Sequence, residues 1–392
     1  MPIPMSSPDL SATEFAAVHD VLTTRYLSIG PRIVSFEEMI ASYSGRRHGV
    51  GVNSGTSGLH LAVIAAGVNT NDLVITTPFS FIASANCVLY ERAVPVFVDV
   101  DRLTGNIDPE LVAAAAQDIA CGGQAARKWL PPAQRDVPSA ARLRAIIPVD
   151  AFGQPADMDP INDTAQEFGL TVIEDSCEAL GAQYKGRPAG SLGDIGVFAF
   201  YPNKQITTGE GGVIVTDRED WRDLFRSLRN QGRDVFDAWL NHTRLGYNYR
   251  MDEMSAAMGL AQMSRIDELL AKRAQVAAWY NERLEDLDWL EIPVVVPETT
   301  RMSWFVYVVR IRPPFSRDKV MARLASDGVP SRPYFTPIHL QPFYQNTFGY
   351  TEGDFPVTEE LGRTSLALPF SSVMTEEQVS EVCAKLRGVG GA

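Results

Sequence analysis

Residues 196–216 read GVFAFYPNKQITTGEGGVIVT. Two runs of aliphatic and aromatic residues, 196–200 and 212–215, flank a turn rich in Pro, Thr and Gly, so two strands joined by a loop are expected. Lys204 sits in that loop. A lysine is ordinarily a solvated surface charge. One that leaves a buried aromatic strand and enters a Gly-rich turn is in the setting where its amine sheds water and becomes a nucleophile. Outward from this stretch, residues 73–77, 94–100, 145–149 and 171–173 are strand-like runs bounded by Gly, Pro or Asp, and residues 57–66 and 160–168 carry helical patterns between them. This alternation predicts a buried α/β sheet.

From Met254 the pattern changes. Met254, Met258, Ala261, Ile266, Leu270, Ala274, Ala277, Tyr280 and Leu284 recur mostly at three and four, which predicts one long amphipathic helix as a spacer. Beyond it a strand at 304–311 and helices at 319–326 and 376–386 predict a small α+β domain. Residues 330–344 (PSRPYFTPIHLQPFY) read as a loop too proline-rich for a regular element, and 117–143 as a surface insertion without a function. The expected division is a large domain, 1–255, and a second unit, 256–392, comprising the long helix and the small domain.

The 392 residues are 45% hydrophobic and 21% charged, ordinary globular usage that excludes a disordered or fibrous chain. A net charge of −13, from 35 basic and 48 acidic residues, opposes attraction to nucleic-acid phosphates. Cys87, Cys121, Cys177 and Cys383 lie far apart with no CxxC pair, so neither a disulfide framework nor a metal site is expected. The first ten residues lack a basic leader, and the apolar run at 59–68 is well short of the roughly 18 residues of a membrane helix. A soluble, cytoplasmic protein is expected, with no nucleic acid or membrane as partner.

Three constellations carry chemistry. NSGTSG at 53–58 enters a helix; its small residues let the backbone approach an anion and the helix N-terminus offers unpaired N–H groups, so a phosphate is favoured there, although a plain helix cap reads as well from the motif alone. The run 171–173 ends in Glu174 and Asp175, and in an open α/β sheet ligands gather at the carboxyl ends of strands, so Asp175 is either a ligand-facing carboxylate or a helix cap. Lys204 is the third. An anion site, an acid for a pyridinium proton and an amine for a Schiff base are what pyridoxal phosphate requires. The competing nucleotide reading rests on Gly49, Gly51 and Gly55, one residue off the dinucleotide fingerprint, with Asp72 as ribose acid. It lacks a second motif, and Tyr201 and Lys204 have the wrong spacing for a reductase pair.

NSGTSGLHLA, PFSFIASANCVLY, PVFVDVD, GQPADMDPI, FYPNKQITTGEGG and GYNYRMDEMSAAMGLAQ, in order from about residue 26 to 262, resemble the DegT/StrS-type sugar aminotransferases, and RPYFTPIHLQPFY and LALPFSS continue the likeness. The resemblance implies the fold type I architecture of pyridoxal-phosphate enzymes: a mixed seven-stranded sheet with flanking helices, a smaller α+β C-terminal domain, and a homodimer with shared active sites. It implies that Lys204 forms the Schiff base and then shuttles the proton. Asp175 would pair with the pyridine nitrogen, and Phe81 would stack on the ring. Gly55, Thr56 and Ser57 would bind the phosphate, aided by Asn248 from the partner subunit. Three positions depart from the family. Ala199 stands where many members have Ser, a loss for which Ser57 or Thr208 would compensate. Glu178 stands where Gln or His commonly meets the cofactor's phenolic oxygen, and burial beside an oxyanion is expected to raise its pKa. Asp150 stands where His is frequent.

The implied reaction is ping-pong transamination, with L-glutamate leaving as 2-oxoglutarate, pyridoxamine phosphate as the intermediate cofactor form, and a nucleotide-linked keto-deoxyhexose aminated at C4 or C3. Tyr201, Arg233, Arg250 and Arg332 are candidate substrate residues. Alternatives are an aminocyclitol aminotransferase, sharing every cofactor residue, and a non-catalytic regulator retaining the fold. Lys204 argues against a sugar dehydratase of the same fold, because those enzymes replace this lysine.

Overall fold

The computed structural model describes residues 3–135, 142–234 and 241–390. Seven strands, β1 (His48–Val52), β2 (Leu73–Thr76), β3 (Val94–Phe97), β4 (Leu143–Ile147), β5 (Thr171–Asp175), β6 (Ile195–Ala199) and β7 (Gly212–Thr216), form one sheet in the order β1-β7-β6-β5-β4-β2-β3. The pairs from β3 to β6 are parallel, and β7 runs antiparallel to both β6 and β1. Alternate residues point to opposite faces. Ile195, Val197 and Ile214 pack on one side with Leu59 and Phe225, and Phe198, Phe200, Val213 and Val215 on the other with Ile33 and Phe36. Both faces are covered, as the near-continuous apolar strands require.

Helices α1 (Ala12–Leu22) and α2 (Pro31–Tyr43) precede β1, α3 (Gly55–Ala65) follows it, α4 (Ala83–Tyr90) lies between β2 and β3, α5 (Pro109–Cys121) and α6 (Met158–Phe168) flank β4, and α7 (Glu219–Arg229) follows β7. Helix α3 lies so close to the sheet that a methyl group on Gly58 would come 2.7 Å from Val197 Cγ1, so only glycine fits there. Next come α8 (Glu253–Met263) and α9 (Ile266–Leu284). A second antiparallel sheet joins β8 (Leu290–Glu291), β9 (Tyr307–Ile311), β10 (Arg332–Pro333) and β11 (Ser365–Leu368) in the order β8-β9-β11-β10. With α10 (Arg317–Ser326) and α11 (Glu376–Gly390) it encloses a core of Tyr280, Tyr307, Leu324, Leu366 and Val379, which Ile3 joins from the other end of the chain. The border expected at 255/256 falls inside α8. Ile266, Leu269 and Leu270 of α9 pack on the large-sheet core, and Val276, Ala277 and Leu284 on the small one. Among the described residues no helix is long and apolar enough to cross a membrane.

Several expectations need correction. The single long helix is two. Arg265 leaves helical geometry, with φ −117° and ψ 11°, and its guanidinium turns to Asp9, Glu14 and Glu268. The apolar stripe does not run through Ala274, which is exposed; Arg273 is buried instead. The region 117–143 is not wholly a surface insertion: α5 extends into it, and Leu130 packs with Val112, Ala115 and Ala116. Its residues 136–141 lie outside the described residues. The proline-rich 330–344 stretch holds β10 and the start of a helix, Pro342–Phe348, with proline at its first turn, where no N–H is needed. The strand expected from 304 starts at Tyr307, because Ser303 N and Phe305 N donate to Gly153 O and Phe152 O, both at 3.1 Å. Strand β1 was read as part of a glycine fingerprint, and Asp72 accepts from Asn69 N at 2.9 Å and pairs with Arg144 at 3.3 Å, so it is committed within the fold.

Candidate active site

Strands β4, β5 and β6 run parallel and end at one edge of the sheet, and β1, antiparallel to the intervening β7, ends there too. A cavity of about 490 Å³ opens beyond that edge, where the strand-end rule puts ligands. Asp175, Lys204, Gly55, Thr56, Phe81, Glu178 and Tyr201 all line it.

Asp175 is the last residue of β5 and is buried. Ser84 Oγ, at the start of α4, donates to its Oδ2 at 2.7 Å, and Cys177 N donates to Oδ1 at 3.2 Å. These bonds hold the carboxylate against the cavity. Burial raises the Cys177 thiol well above its ordinary pKa, so it stays protonated and inert.

Lys204 follows β6 in a turn closed by its own N–H to Tyr201 O at 2.9 Å. Its side chain is 13% exposed, and Nζ lies 3.8 Å from the centre of the Phe305 ring and 3.6 Å from Glu178 Oε1. Glu178 Oε2 accepts from Phe152 N at 2.9 Å, and Gln205 Nε2 donates to the Glu178 carbonyl. Burial raises the Glu178 carboxyl above its ordinary value, an effect that Lys204 and the Phe152 N–H only partly offset. The direction expected from sequence is therefore present before any cofactor oxyanion is considered.

At the opposite end, α3 begins with Ser54 as cap, its Oγ accepting from Ser57 N at 3.1 Å. Ser54, Gly55 and Thr56 face the cavity beside Ala199. Ser57 does not line it, because its hydroxyl donates to Asn53 Oδ1 at 2.7 Å. Thr208 is also committed, to Glu210 O at 2.7 Å. Neither hydroxyl therefore replaces the one that Ala199 lacks. A methyl group on Gly55 would lie 2.7 Å from Ala199 Cβ and 2.8 Å from Cys177 Sγ, so only glycine fits between the helix start and these side chains. Bare N–H groups at a helix start, a buried carboxylate and an enclosed amine around one cavity fit a phosphorylated pyridine aldehyde.

Phe81 is 64% exposed and Tyr201 53% exposed, both at the cavity. Arg233, Arg250 and Arg332 do not line it; Arg250 Nη1 donates to Asn230 Oδ1 at 3.1 Å, and Arg332 Nη1 to Ser331 O at 2.9 Å. Asn248 is exposed outside the cavity, its carbonyl 3.5 Å from Asn53 Nδ2. Asp150 is fully buried behind the site, accepting from Ser176 Oγ at 2.8 Å and Ala156 N at 3.0 Å. Burial, with Glu174 nearby, raises its pKa well above the ordinary value. Sequence reasoning missed Ser84, Phe305, Tyr334 and Phe335, all at the cavity. Ser84 carried a weak signal, three residues after Phe81 at a helix start; Tyr334 and Phe335 lie in the RPYFTPIHLQPFY stretch that carried the family likeness, and Phe305 carried none.

The sequence profile of the DegT/DnrJ/EryC1/StrS aminotransferase family matches residues 8–387. GDP-perosamine synthase of Caulobacter vibrioides is 38% identical over 98% of this chain and 97% of its own. Spore coat polysaccharide biosynthesis protein SpsC of Bacillus subtilis is 33% identical over 99% and 97%. Among solved structures, DesV of S. venezuelae, seen in complex with a ketimine intermediate, aligns with a TM-score of 0.87 at 31% identity, covering 100% of this chain and 99% of that one. By sequence, by fold and by the residues gathered at its cavity, this chain belongs to the DegT/DnrJ/EryC1/StrS aminotransferase family.

Proposed function

We propose that this aminotransferase uses pyridoxal phosphate to move an amino group from L-glutamate to the C4 or C3 keto group of a nucleotide-linked keto-deoxyhexose. The observation that carries this reading is the convergence of the Lys204 amine, the Asp175 carboxylate and the start of α3 on one cavity. The named relatives support the substrate class, since GDP-perosamine synthase and a TDP-sugar-bound DesI structure are nucleotide-sugar proteins.

When bound, pyridoxal phosphate supplies an electron sink and carries the amino group between donor and acceptor. The chain's own residues do the rest. The N–H groups at Gly55 and Thr56 bind the phosphate, and Asp175, oriented by Ser84, holds a proton on the ring nitrogen. Phe81 covers one face of the ring. Lys204 Nζ would hold the cofactor and, as a free amine, would carry a proton between the substrate carbon and the neighbouring cofactor carbon in each half-reaction, a general acid–base role for an amine kept near both atoms. Glu178, whose carboxyl burial shifts toward its protonated form, would meet the ring oxygen. Tyr201, half exposed at the cavity, would meet the acceptor. Asn248 would join the site from the partner subunit of a homodimer; the candidate substrate residues Arg233, Arg250 and Arg332 do not line the cavity of their own chain. Exposed Tyr26, Leu27, Ile29 and Leu245 support such an interface.

The test is an absorbance spectrum of the protein with pyridoxal phosphate before and after L-glutamate, followed by mass analysis with a panel of nucleotide keto-sugars and a keto-inositol. The expected result is a visible band that Lys204→Ala abolishes, that glutamate bleaches with release of 2-oxoglutarate, and that a keto-sugar restores. A band indifferent to glutamate overturns the donor, and turnover retained in Lys204→Ala overturns the lysine assignment.

A further inference from the structure

Arg273 stands in the buried face of α9, between Leu270 and Val276, and is 2% exposed. A buried guanidinium is costly unless its donors are answered. Among the described residues no charged group offsets this burial; desolvation alone lowers the pKa, to about 10, and the side chain remains a cation at neutral pH. Four backbone carbonyls answer its two terminal nitrogens instead, while Nε has no partner among the described residues. Nη1 donates to Trp304 O and Phe305 O, each at 3.2 Å. Nη2 donates to Asn203 O at 3.2 Å and to Lys204 O.

One nitrogen therefore serves the turn that carries the amine, and the other serves the segment that carries the ring 3.8 Å from that amine. Trp304 has φ +51°, a left-handed conformation that is costly for a bulky residue and persists only where surrounding bonds hold it. The planar fork of arginine spans both segments; an ammonium, whose donors radiate from a single atom, does not.

We propose that Arg273 is a positioning residue for the Lys204 amine, a single buried guanidinium that locks the lysine turn to the Phe305 segment and so sets where Nζ stands in the cavity. The proposal rests on the reading of Lys204 as the reacting amine.

Arg273→Lys and Arg273→Met in the full-length chain test it. Three quantities are measured: the unfolding midpoint, the rate at which acetic anhydride acetylates Lys204 in cofactor-free protein, followed by peptide mass, and kcat and KM for the glutamate half-reaction. The expected result for Arg273→Met is a folded protein whose Lys204 acetylates about tenfold faster and whose kcat falls about 100-fold, the cost of an ångström of misplacement. KM should stay within about threefold, and Arg273→Lys should fall between the two. Acetylation at the wild-type rate in the folded variants overturns the proposal, even where kcat falls. If Arg273→Met does not fold, Arg273→Lys decides alone; if neither folds, the role is architectural and the proposal fails. Because acetylation is read without cofactor, it reports on Arg273 even if Lys204→Ala shows that the lysine is not the reacting group.

Discussion

Removing the Ser84 hydroxyl should disable the site without disturbing its outline. Ser84 is 1% exposed, and its Oγ lies 2.7 Å from Asp175 Oδ2 at the wall of the cavity. In Ser84→Ala that donor is lost, and Asp175 keeps the longer bond from Cys177 N at 3.2 Å. A buried hydrogen bond to a charged acceptor is worth about 1.5–3 kcal/mol, which corresponds to roughly 10- to 150-fold in a rate when the bond is fully used in the transition state. Asp175 would have to hold its proton on the ring nitrogen most firmly as electrons flow into the ring, so the loss should fall on kcat. We expect the glutamate half-reaction, followed by stopped-flow absorbance, to slow by about 10- to 100-fold with KM changed less than about twofold. If Ser84 acts only through Asp175, the substitution adds nothing in an Asp175→Asn background. A wild-type half-reaction rate in Ser84→Ala, or an equal loss in both backgrounds, would refute this reasoning.

Ala199→Ser supplies a hydroxyl beside Gly55 that neither Ser57 nor Thr208 provides. One added hydrogen bond of about 0.5–1.5 kcal/mol predicts roughly two- to twelvefold tighter cofactor retention by equilibrium dialysis, and weaker retention would count against the assigned phosphate end. Glu178→Gln keeps an acceptor for Phe152 N but cannot ionise. Because burial raises the Glu178 pKa, the variant should match wild-type turnover in acid and pull ahead as pH rises and wild-type Glu178 gains charge; superimposable pH profiles would sink the idea. Asp150 is raised further, so the folded chain holds its proton after the unfolded chain has released it. The resulting stability is fully present below the unfolded pKa of roughly 3.9 and is lost as pH climbs toward the folded value. The melting-temperature advantage of Asp150→Asn should therefore grow between about pH 5 and pH 8, and a constant difference would show that Asp150 is ionised in the fold.

Strand positions were legible because a buried parallel strand must be apolar on both faces. The run expected at 212–215 is β7 less one residue, and that at 171–173 is β5 less the Glu174–Asp175 end, where function breaks the apolar pattern. β1 was missed because two glycines and a histidine hide the two valines that pack inward. The break at Arg265 was invisible because the helical period continues across it, and the carboxylates of Asp9 and Glu14 that draw the side chain away lie some 250 residues earlier. Ser57 was expected at the phosphate from its position in the motif, yet its hydroxyl turns to Asn53, a choice that depends on cap geometry rather than spacing.

The sequence by itself determined the α/β alternation, the lysine turn after β6, the acid at the end of β5 and the bare helix start after β1, because local hydrophobic period, turn chemistry and strand-end position are all written within a few residues. Only the tertiary structure decided that Ser84 orients Asp175, that Phe305 closes over Lys204, and that Arg273 rather than Ala274 faces inward to join the two. Those contacts cross tens to hundreds of residues, and a buried polar group takes whichever partner packing brings within hydrogen-bond reach.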